Sequence, residues 1–484
     1  MTFHPIEELL KEFPAPVTIP ASDVAAAAAK DTTTVLIVLD DDPTGTQSVA
    51  DLPVLTRWEA SDFAWALAHN APAIYVMTNS RSLDPADARA INISVAEAAY
   101  AAARESGKKP IFVSRSDSTL RGHFPLEPDT LADAVDRLED TPGSIDGYII
   151  VPAFGDAGRI TIGGIHYAGN INTGFQPVGE TEFAKDATFG YSSSALPEWV
   201  EEETHGAVTA EQVLTLDLSL IRQGTDGIAQ ALATASNRQP IVADIVTEDD
   251  LRALSLGILA AEAAGKRFIY RVGPPFVRAR IGQGVPDVVT AARIEATRHQ
   301  PATVVGGLIV VGSHVPTTTR QLNRLLESSA PTVVELEVRK VLGDNAAQYL
   351  EALPQEITQA LASGNVVFHT SRELVTGATG EESLAIARRV SEALVGTVNA
   401  VVHTVTPRFV IAKGGITSSD IASKGLEMTR ATVIGPMQPG IISLWSTAEG
   451  PAAGVPYIVF AGNVGTDDSL AEVVATLSEQ ENAS

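Results

Sequence analysis

The sequence predicts an α/β protein of two domains, each with a mainly parallel sheet flanked by helices. Short apolar runs rich in β-branched residues alternate with alanine-rich segments of helical character, and this alternation is typical of parallel sheets. With 484 residues, the chain is also too long for one ordinary hydrophobic core. We expect the first domain to span residues 1–298 and the second to span residues 299–484, with the active site in the cleft between them.

Composition excludes several classes of protein. The net charge of −25 lacks the basic footprint of a nucleic-acid-binding protein. There is no cysteine, which excludes disulfides, thiolate nucleophiles and Cys-ligated metals. No apolar run approaches the ~18 residues of a membrane span, and residues 1–11 lack the pattern of a signal segment. We therefore expect a cytoplasmic protein whose partners are small molecules rather than nucleic acids or membranes.

The first domain is expected to begin with a helical segment over residues 6–29, after which strands and helices alternate. We predict a helix at 86–105 and strands at 35–39, 73–77, 110–113, 148–151, 240–244 and 268–271. Residues 163–194 are rich in Gly, Asn, Thr and aromatic side chains, so we expect a long irregular loop of the kind that often binds ligands. Four successive strand ends carry polar groups, which indicates one site lined by several loops.

Three consecutive carboxylates, Asp40, Asp41 and Asp42, follow the first predicted strand. Ligands of open α/β sheets bind just beyond the carboxyl ends of the strands. Because packed carboxylates repel one another, they usually meet cations, hydroxyls or backbone donors. We take Asp41 and Asp42 as candidate catalytic residues. A solvated acidic turn is the other interpretation, since Asp and Pro favour turns.

The loop at residues 114–123 gathers unusual chemistry after the strand at 110–113. It contains Arg115, Asp117, Ser118, Arg121 and His123. The planar fork of an arginine suits a carboxylate or phosphate group, and an aspartate can orient that fork or accept hydrogen bonds from substrate hydroxyls. The alternative is a structural Arg–Asp pair with a helix cap.

Two further residues lie in candidate site loops of this domain. Arg81 follows the strand at 73–77, and His166 lies in the segment expected to be irregular. We expect most of the nine histidines to be structural or on the surface, but His123 and His166 are candidates for contact with a ligand.

In the second domain the predicted strands at 307–311, 366–368, 409–412 and 457–460 end in Gly, Ser and Thr rather than in acidic residues. Backbone N–H groups at the start of a helix favour phosphate, and glycine permits close approach. The loop at 413–419 is therefore a candidate phosphate loop, with Thr417 or Ser418 expected to cap its helix. An ordinary glycine turn with a Ser cap is the alternative.

The common nucleotide and hydrolase motifs are absent. The loop at 413–419 is not a GxxxxGK[ST] sequence, and no strand of the first series is followed by GxGxxG, which disfavours a dinucleotide dehydrogenase. Neither HExxH nor a GxSxG elbow is present, so a zinc protease of that type and an α/β-hydrolase are disfavoured.

These residues together resemble the four-carbon acid sugar kinases, which phosphorylate small aldonates such as erythronate, threonate or 3-oxo-tetronate with ATP. The resemblance covers nearly the whole chain. Its motifs lie at residues 41–45, 117–122, 180–186, 189–191, 312–313, 414–418 and 462–463. The family combines an N-terminal acid-sugar domain with a C-terminal nucleotide domain, in agreement with the division expected above.

The resemblance implies a set of nucleotide contacts in the second domain. The positions it places at ATP are Ser313, Gly414, Gly415, Ile416, Thr417 and Gly462, together with the neighbouring Asn463. The chain departs from many members at Pro43, at Ile416, where an acidic residue is common, and at Phe460 and Ala461, which replace Lys-Ser. A basic group at the phosphates would then come from elsewhere, and Lys413 is the candidate.

We therefore expect an ATP-dependent kinase of a small sugar acid. Arg121, with Arg81 or Arg115, would bind the substrate carboxylate beside Ser118 and His123. Asp41 or Asp42, in a site shared with Asp117, would orient or deprotonate the attacking hydroxyl. Mg²⁺ would accompany ATP, and the sequence assigns it no ligands.

Two other functions stay open at this point: an ATP-independent aldolase or isomerase of sugar acids, and a non-catalytic binder of acidic metabolites. Neither has an evident use for the Gly- and Ser-rich strand ends of the second domain, which favours the kinase. The sequence leaves open which sugar acid is bound, which aspartate is the base and whether the chain forms a homodimer.

Overall fold

The computed structural model describes residues 3–42, 44–298, 301–372 and 375–479, apart from the side chains at 380, 381 and 416. The chain forms two compact units, Met1–Pro286 and Asp287–Ser484. Each is built on a mainly parallel sheet with helices, which confirms the predicted fold class. The division precedes residue 298 because Ile294 is buried in the core of the second unit and the Val289 N–H donates to the Pro436 carbonyl at 2.9 Å.

Unit 1 contains eleven strands and ten helices among its described residues. The strands are β1 (Thr34–Asp40), β2 (Leu52–Leu55), β3 (Ala73–Met77), β4 (Lys109–Arg115), β5 (Gly147–Val151), β6 (Arg159–Ile162), β7 (Ile165–Asn170), β8 (Gly174–Pro177), β9 (Leu214–Leu216), β10 (Gln239–Ala243) and β11 (Phe268–Val272). The helices are α1 (Ile6–Leu9), α2 (Ala21–Ala28), α3 (Ala60–Ala68), α4 (Pro85–Ser106), α5 (Leu126–Glu139), α6 (Leu196–Glu203), α7 (Leu218–Ile221), α8 (Thr225–Ala233), α9 (Glu248–Ala263) and α10 (Pro274–Arg280).

The main sheet of unit 1 has the strand order β2-β3-β1-β4-β11-β5-β10-β9, and its described pairings are all parallel. Residues 35–40 of β1 are all buried, as expected for a parallel strand that is covered on both faces. In the register, Asp40 lies opposite Met77 on one side and Arg115 on the other. The carboxyl ends of β3, β1 and β4 therefore come level at one edge of the sheet.

Two sequence predictions in unit 1 were wrong. The segment at 6–29 is not one helix: α1 and α2 are separated by a stretch containing three prolines, which interrupt helices. The segment at 163–194 is not irregular throughout, because β6, β7 and β8 form an antiparallel sheet. That sheet buries Ile160, Ile162, Tyr167 and Phe175 in a cluster of its own, packed against residues of the chain start.

Unit 2 has a sheet of seven strands among its described residues, in the order β13-β14-β12-β15-β18-β17-β16. The strands are β12 (Leu308–Val311), β13 (Thr332–Leu336), β14 (Val366–Thr370), β15 (Val410–Lys413), β16 (Arg430–Gln438), β17 (Ile442–Ser446) and β18 (Tyr457–Phe460). The helices are α11 (Ala291–Ala296), α12 (Pro316–Ser329), α13 (Val338–Leu342), α14 (Ala346–Leu361), α15 (Gly380–Val402), α16 (Gly415–Asp420) and α17 (Ser469–Ser478), and a π-helical turn spans Ile421–Gly425. Strands β13, β14, β12, β15 and β18 are parallel, whereas β17 is antiparallel to both its neighbours.

Among the helices of the described residues, none has the length and apolar character needed to cross a membrane.

A buried carboxylate, Asp244, joins three segments of unit 1. It follows β10 and accepts hydrogen bonds from the backbone N–H groups of Gly163 at 2.7 Å, Gly164 at 2.8 Å and Leu218 at 3.0 Å. The two glycines form the turn between β6 and β7, and Leu218 begins α7. Asp244 thereby fixes the small antiparallel sheet to the main one.

We expect Asp244→Ala to lower the free energy of unfolding by about 3 kcal/mol, because two buried N–H donors and one partly buried donor lose their acceptor. Urea denaturation of the full chain, followed by circular dichroism, measures the change. The matched control is Asp226→Ala on the exposed first turn of α8, which should change the free energy by no more than about 0.5 kcal/mol. Equal midpoints for the two variants would contradict the anchoring role of Asp244.

Candidate active site

Acidic and arginine side chains meet at the level carboxyl ends of β3, β1 and β4. Asp40 ends β1, Arg115 ends β4, and the two form a buried ion pair. The position of Gly45 follows from this pair: a Cβ there would lie 2.1 Å from the Asp40 Oδ2 and 2.5 Å from the Arg115 Nε. The chain after the strand can therefore close over the ion pair only with glycine at this position.

Asp41, the next residue, is buried with little compensation for its charge. Its side chain is 2% exposed, and its Oδ1 lies 3.5 Å from the Arg115 Nη2. Beyond that ion pair, neither carboxylate oxygen accepts a hydrogen bond from the described part of the chain. Burial raises the pKa of Asp41 to about 7, although Arg81 and Arg271 oppose the shift. Asp41 can therefore exchange a proton near neutral pH.

Asp42 and Asp117 lie nearer the surface and are joined by Arg81. Asp42 pairs with the Arg81 guanidinium, whose Nη1 lies 3.4 Å from the Asp117 Oδ1. Asp42 also accepts from the N–H of Thr44 at 3.0 Å and from its hydroxyl at 2.6 Å. Burial opposes ionisation of Asp117, but Arg81 and Arg121 outweigh it and lower the pKa of Asp117 to about 2. Asp117 is therefore a permanent anion, in contrast to Asp41.

Arg121 offers a guanidinium at the open side of this cluster. It is 26% exposed, its Nε binds the Asp117 Oδ2 at 2.8 Å, and its Nη1 lies 3.5 Å from the Asp186 Oδ2. Its Cζ stands 5.4 Å from the ring centroid of Phe183, and the Cζ of Arg159 stands 5.5 Å from the same ring. Sequence analysis assigned no individual role to Asp186 or Phe183, although both lie in a motif of the family resemblance.

Beneath the cluster lies a buried pair that sequence reasoning missed, Glu127 and Arg271. The Arg271 Nη1 donates to Glu127 at 2.7 Å and to the Ser114 hydroxyl at 2.9 Å. Glu127 also accepts from the hydroxyl of Ser80 at 2.5 Å. The pair thus connects β11, β4, α5 and the turn after β3. An arginine within the apolar run of β11 was the one signal that the sequence contained.

The loop after β4 bends sharply at Gly122. This glycine has φ +114°, and a Cβ there would lie 2.8 Å from the Arg271 Nη2 and 3.0 Å from the Asp41 Oδ2. The loop backbone can therefore approach Asp41 closely only without a side chain at residue 122.

The two candidate histidines and Ser118 lie beside the cluster. Backbone carbonyls already lie within hydrogen-bond distance of both imidazole rings. His123 is buried, and its Nε2 lies 3.1 Å from the carbonyls of both Ser80 and Leu83. His166 is buried as well, with its Nε2 2.8 Å from the Ser118 carbonyl, and burial lowers its pKa to about 4. Both rings therefore hold loops in place, and the substrate contact expected of His123 and Ser118 stays a prediction.

In unit 2, three of the expected nucleotide-binding positions come together after neighbouring strands. Ser313 follows β12, Gly414 follows β15 and Gly462 follows β18. A Cβ on Gly462 would lie 2.6 Å from the Ser313 Oγ, and one on Gly414 would lie 3.2 Å from the Ser313 Cβ. The Thr318 hydroxyl, in the first turn of α12, donates to the Gly462 carbonyl at 2.8 Å and so joins this helix to the loop after β18. The absence of side chains at the two glycines therefore lets the three loops approach one another closely.

The start of α16 differs from the expected cap. Gly414, with φ +129°, is the N-cap residue, and no side chain among the described residues caps the helix. The Ser418 hydroxyl instead donates back to the carbonyls of Ala412 at 2.8 Å and Gly414 at 2.6 Å. The prediction that Thr417 or Ser418 caps this helix was wrong, because Ser418 lies one turn inside it. The side chain of Ile416 is outside the described residues, and so is Pro43 in unit 1.

Lys413 does not point from the loop as a free cation. Its side chain is buried, and its Nζ donates to the Ala461 carbonyl at 2.6 Å and lies 3.6 Å from the centroid of the Phe460 ring. Burial lowers the pKa of Lys413 to about 6, so the amine is mostly neutral at pH 7. Arg372 follows β14 and lies beside Ser313. Its Nη1 donates a hydrogen bond to the Ser313 carbonyl at 2.7 Å. Asn463 is exposed at the same edge.

Comparison with known families assigns a role to each half of the chain. A sugar-binding N-terminal domain matches residues 36–280, about half of the chain, and a nucleotide-binding C-terminal domain matches residues 308–470. The first match contains the acidic and arginine cluster, and the second contains the three glycine- and serine-rich loops.

Two relatives are named as kinases. The D-erythronate kinase of Heliobacterium modesticaldum is 25% identical over 323 residues, which cover 66% of this chain and 65% of that protein. The D-threonate kinase of Salmonella typhimurium is 24% identical over 424 residues, which cover 84% of this chain and 89% of that protein. The chain thus matches slightly less than two thirds of the length of the erythronate kinase.

The fold is also found in a solved structure. The Haemophilus influenzae protein HI1011 superimposes with a TM-score of 0.61 at 16% identity, covering 92% of this chain and 100% of that one. At this identity the likeness concerns the fold alone. The family matches cover both sets of strand-end loops, and the chain belongs to the four-carbon acid sugar kinase family.

Proposed function

We propose that this protein is an ATP-dependent kinase that phosphorylates a hydroxyl of a four-carbon sugar acid such as erythronate, threonate or 3-oxo-tetronate. One observation carries the proposal: a nearly uncompensated buried carboxylate, Asp41, lies beside arginines that are still partly exposed. That arrangement suits a substrate with an anionic end and a hydroxyl to be deprotonated. The names of the two kinase relatives support the substrate class.

Arg121 would bind the substrate carboxylate. Its fork can engage both carboxylate oxygens, which the point charge of a lysine cannot do. Asp117 and Asp186 hold the guanidinium from one side, and the exposed part remains for the ligand. Arg81, 20% exposed and shared between Asp42 and Asp117, is placed to assist. Arg115 is committed to Asp40, so it would act by holding the acidic strand end in position.

Asp41 would accept the proton of the attacking hydroxyl. A general base works best when its pKa is near the operating pH, and burial brings Asp41 to about 7. Asp42 suits this task less well, because Arg81 and Thr44 already occupy its oxygens.

The phosphoryl donor would bind in unit 2 at the loops of Ser313, Gly414 and Gly462. Backbone N–H groups can reach a phosphate where side chains are absent. Arg372 donates to the Ser313 carbonyl and would stabilise phosphate charge in place of the buried Lys413.

Mg²⁺ would neutralise charge on the phosphates during transfer. Among the described residues, no group of three or more His, Asp or Glu is arranged to hold a metal ion. This fits an ion that is bound mainly through substrate phosphates with few protein carboxylates. An aldolase, an isomerase or a simple binding protein would have no use for a nucleotide-binding domain.

The first test is ADP release from ATP with a panel of four-carbon sugar acids, using the wild type and two aspartate variants. We expect wild-type kcat/KM to fall about tenfold per pH unit below about pH 7, because the protonated form of Asp41 cannot act as a base. Asp41→Asn should lower kcat by about 10²–10⁴-fold and abolish this pH dependence. Asp42→Asn, the matched variant, should retain it. If Asp41→Asn kept the pH dependence of kcat/KM, the general base would be another residue. If the wild type released no ADP with any of the sugar acids, the proposed function would be overturned.

The second test is Arg121→Lys. We expect KM for the sugar acid to rise about tenfold or more, and KM for ATP to stay within about twofold, because a single ammonium cannot replace a bidentate contact. Steady-state titration of each substrate at saturating levels of the other gives both constants. If KM for ATP rose instead, Arg121 would contact the phosphates of ATP rather than the sugar acid.

The third test concerns the nucleotide. Gly462→Val should lose ATP binding by at least about tenfold, because its side chain would collide with Ser313. Calorimetric titration with ATP, and separately with the sugar acid, resolves the two affinities; only the first should change. Gly396→Val is the control, since a Cβ at this exposed position of α15 meets nothing within 4 Å. Unchanged ATP affinity in Gly462→Val would contradict the assigned loops.

A further inference from the structure

Unit 1 contains a cavity of about 1410 Å³ at the amino-terminal ends of its central strands. Its lining includes Thr34 at the start of β1, Lys109 at the start of β4 and Phe268 at the start of β11. Because these strands are parallel, their amino ends lie at the opposite edge of the sheet from the carboxyl ends that carry Asp41 and Arg121. The cavity is therefore separate from the candidate active site, and the proposed function does not use it.

The walls of the cavity are largely apolar. Side chains of the sheet and of helices α4, α5 and α9 contribute to them. Among the larger apolar side chains of the lining, Ile111, Leu138, Leu256 and Leu259 are partly exposed. Pockets that bind small molecules are mostly apolar and contain a few polar groups that fix the orientation of the ligand. A four-carbon sugar acid, with a hydroxyl on nearly every carbon, does not fit such walls.

The charged residues of the lining are mainly basic. Seven basic side chains line the cavity, against three acidic ones. The basic ones are Lys30, Arg104, Lys108, Lys109, Lys266, Arg267 and Arg280, and the acidic ones are Asp31, Glu139 and Glu262. In a chain whose net charge is −25, this local excess of positive charge has to be built by the fold. It favours an anionic ligand.

Arg280 is a buried cation at the edge of this cavity. Its side chain is 4% exposed, and its Nη2 pairs with Glu262, which also accepts from the Tyr270 hydroxyl. Within the part of the chain that the structure describes, its Nε has no hydrogen-bond partner. That nitrogen has almost no accessible surface, so Arg280 contributes positive charge near the cavity rather than a direct contact with a ligand.

We propose that this cavity binds an amphipathic organic carboxylate, an apolar chain or ring with one anionic end. The apolar body would lie along the partly exposed side chains of Ile111, Leu138 and Leu259, and the carboxylate would be drawn to the exposed Lys109 and the other basic side chains of the lining. The ligand differs in class from the substrates of the proposed kinase reaction, and its site lies at the other edge of the sheet.

Calorimetric titration of the full-length protein with decanoate, without ATP or sugar acid, tests the proposal. Leu259→Trp should weaken binding at least tenfold, because the indole fills the cavity from a partly exposed position of α9. Lys109→Glu, on an exposed residue of the lining, should weaken it several-fold by reversing a charge. The matched controls are Leu384→Trp, at a 52% exposed position of unit 2, and Lys11→Glu, at an exposed position outside the lining; both should bind as the wild type does.

Decanoate binding should also persist in the presence of saturating erythronate or threonate. No binding of decanoate by the wild type at millimolar concentration would overturn the proposal. Equal affinity in the wild type, Leu259→Trp and Lys109→Glu, with circular dichroism showing all three folded, would overturn it as well, and so would displacement by the sugar acid. Because the titration contains no nucleotide, its outcome is independent of whether the protein releases ADP in the kinase assay.

Discussion

The candidate active site depends on the burial of two adjacent carboxylates, Asp40 and Asp41, of which only Asp40 is closely paired with the buried guanidinium of Arg115. Removing a charge from water costs several kcal/mol unless a partner compensates for it. Asp40 receives that compensation in its ion pair with Arg115, whereas the nearest Arg115 nitrogen lies 3.5 Å from Asp41. Because the charge of Asp41 is compensated less than that of Asp40, the pKa of Asp41 is raised, and the surrounding structure keeps Asp41 buried.

Many of the surrounding side chains hold the aspartates and their loops in position and do not face a ligand. Glu127 and Arg271 connect four segments beneath the aspartates, and the two histidines hold loops through backbone carbonyls. Unit 2 is built differently. There the candidate nucleotide site is formed by loops that carry glycines after β15 and β18, and the buried amine of Lys413 is directed at a carbonyl and an aromatic ring.

Sequence patterns were sufficient where the signal is local. The alternation of strands and helices gave the fold class, and the run of aspartates and the arginine-rich loop gave residues that the structure brings together. Patterns failed where the role of a residue arises from distant partners. Glu127 lies in an ordinary helix, and only the tertiary structure brings Arg271 to it. The burial of Lys413 depends on Phe460 and Ala461, which lie far along the chain, and the pairing of β6 with β7 is set by packing against the chain start rather than by a strong strand signal.

The way in which Gly45 and Gly122 enclose the aspartates has a consequence for redesign of the substrate range. On these two sides the wall of the site is main chain in contact with carboxylates or arginines, so even a methyl group would displace a charged partner. On the side of Arg121 the wall is a side chain, the Phe183 ring between two guanidinium groups. Libraries that seek room for longer acids would therefore begin at Phe183 and leave both glycines unchanged, since a shorter side chain there enlarges the site without moving the backbone.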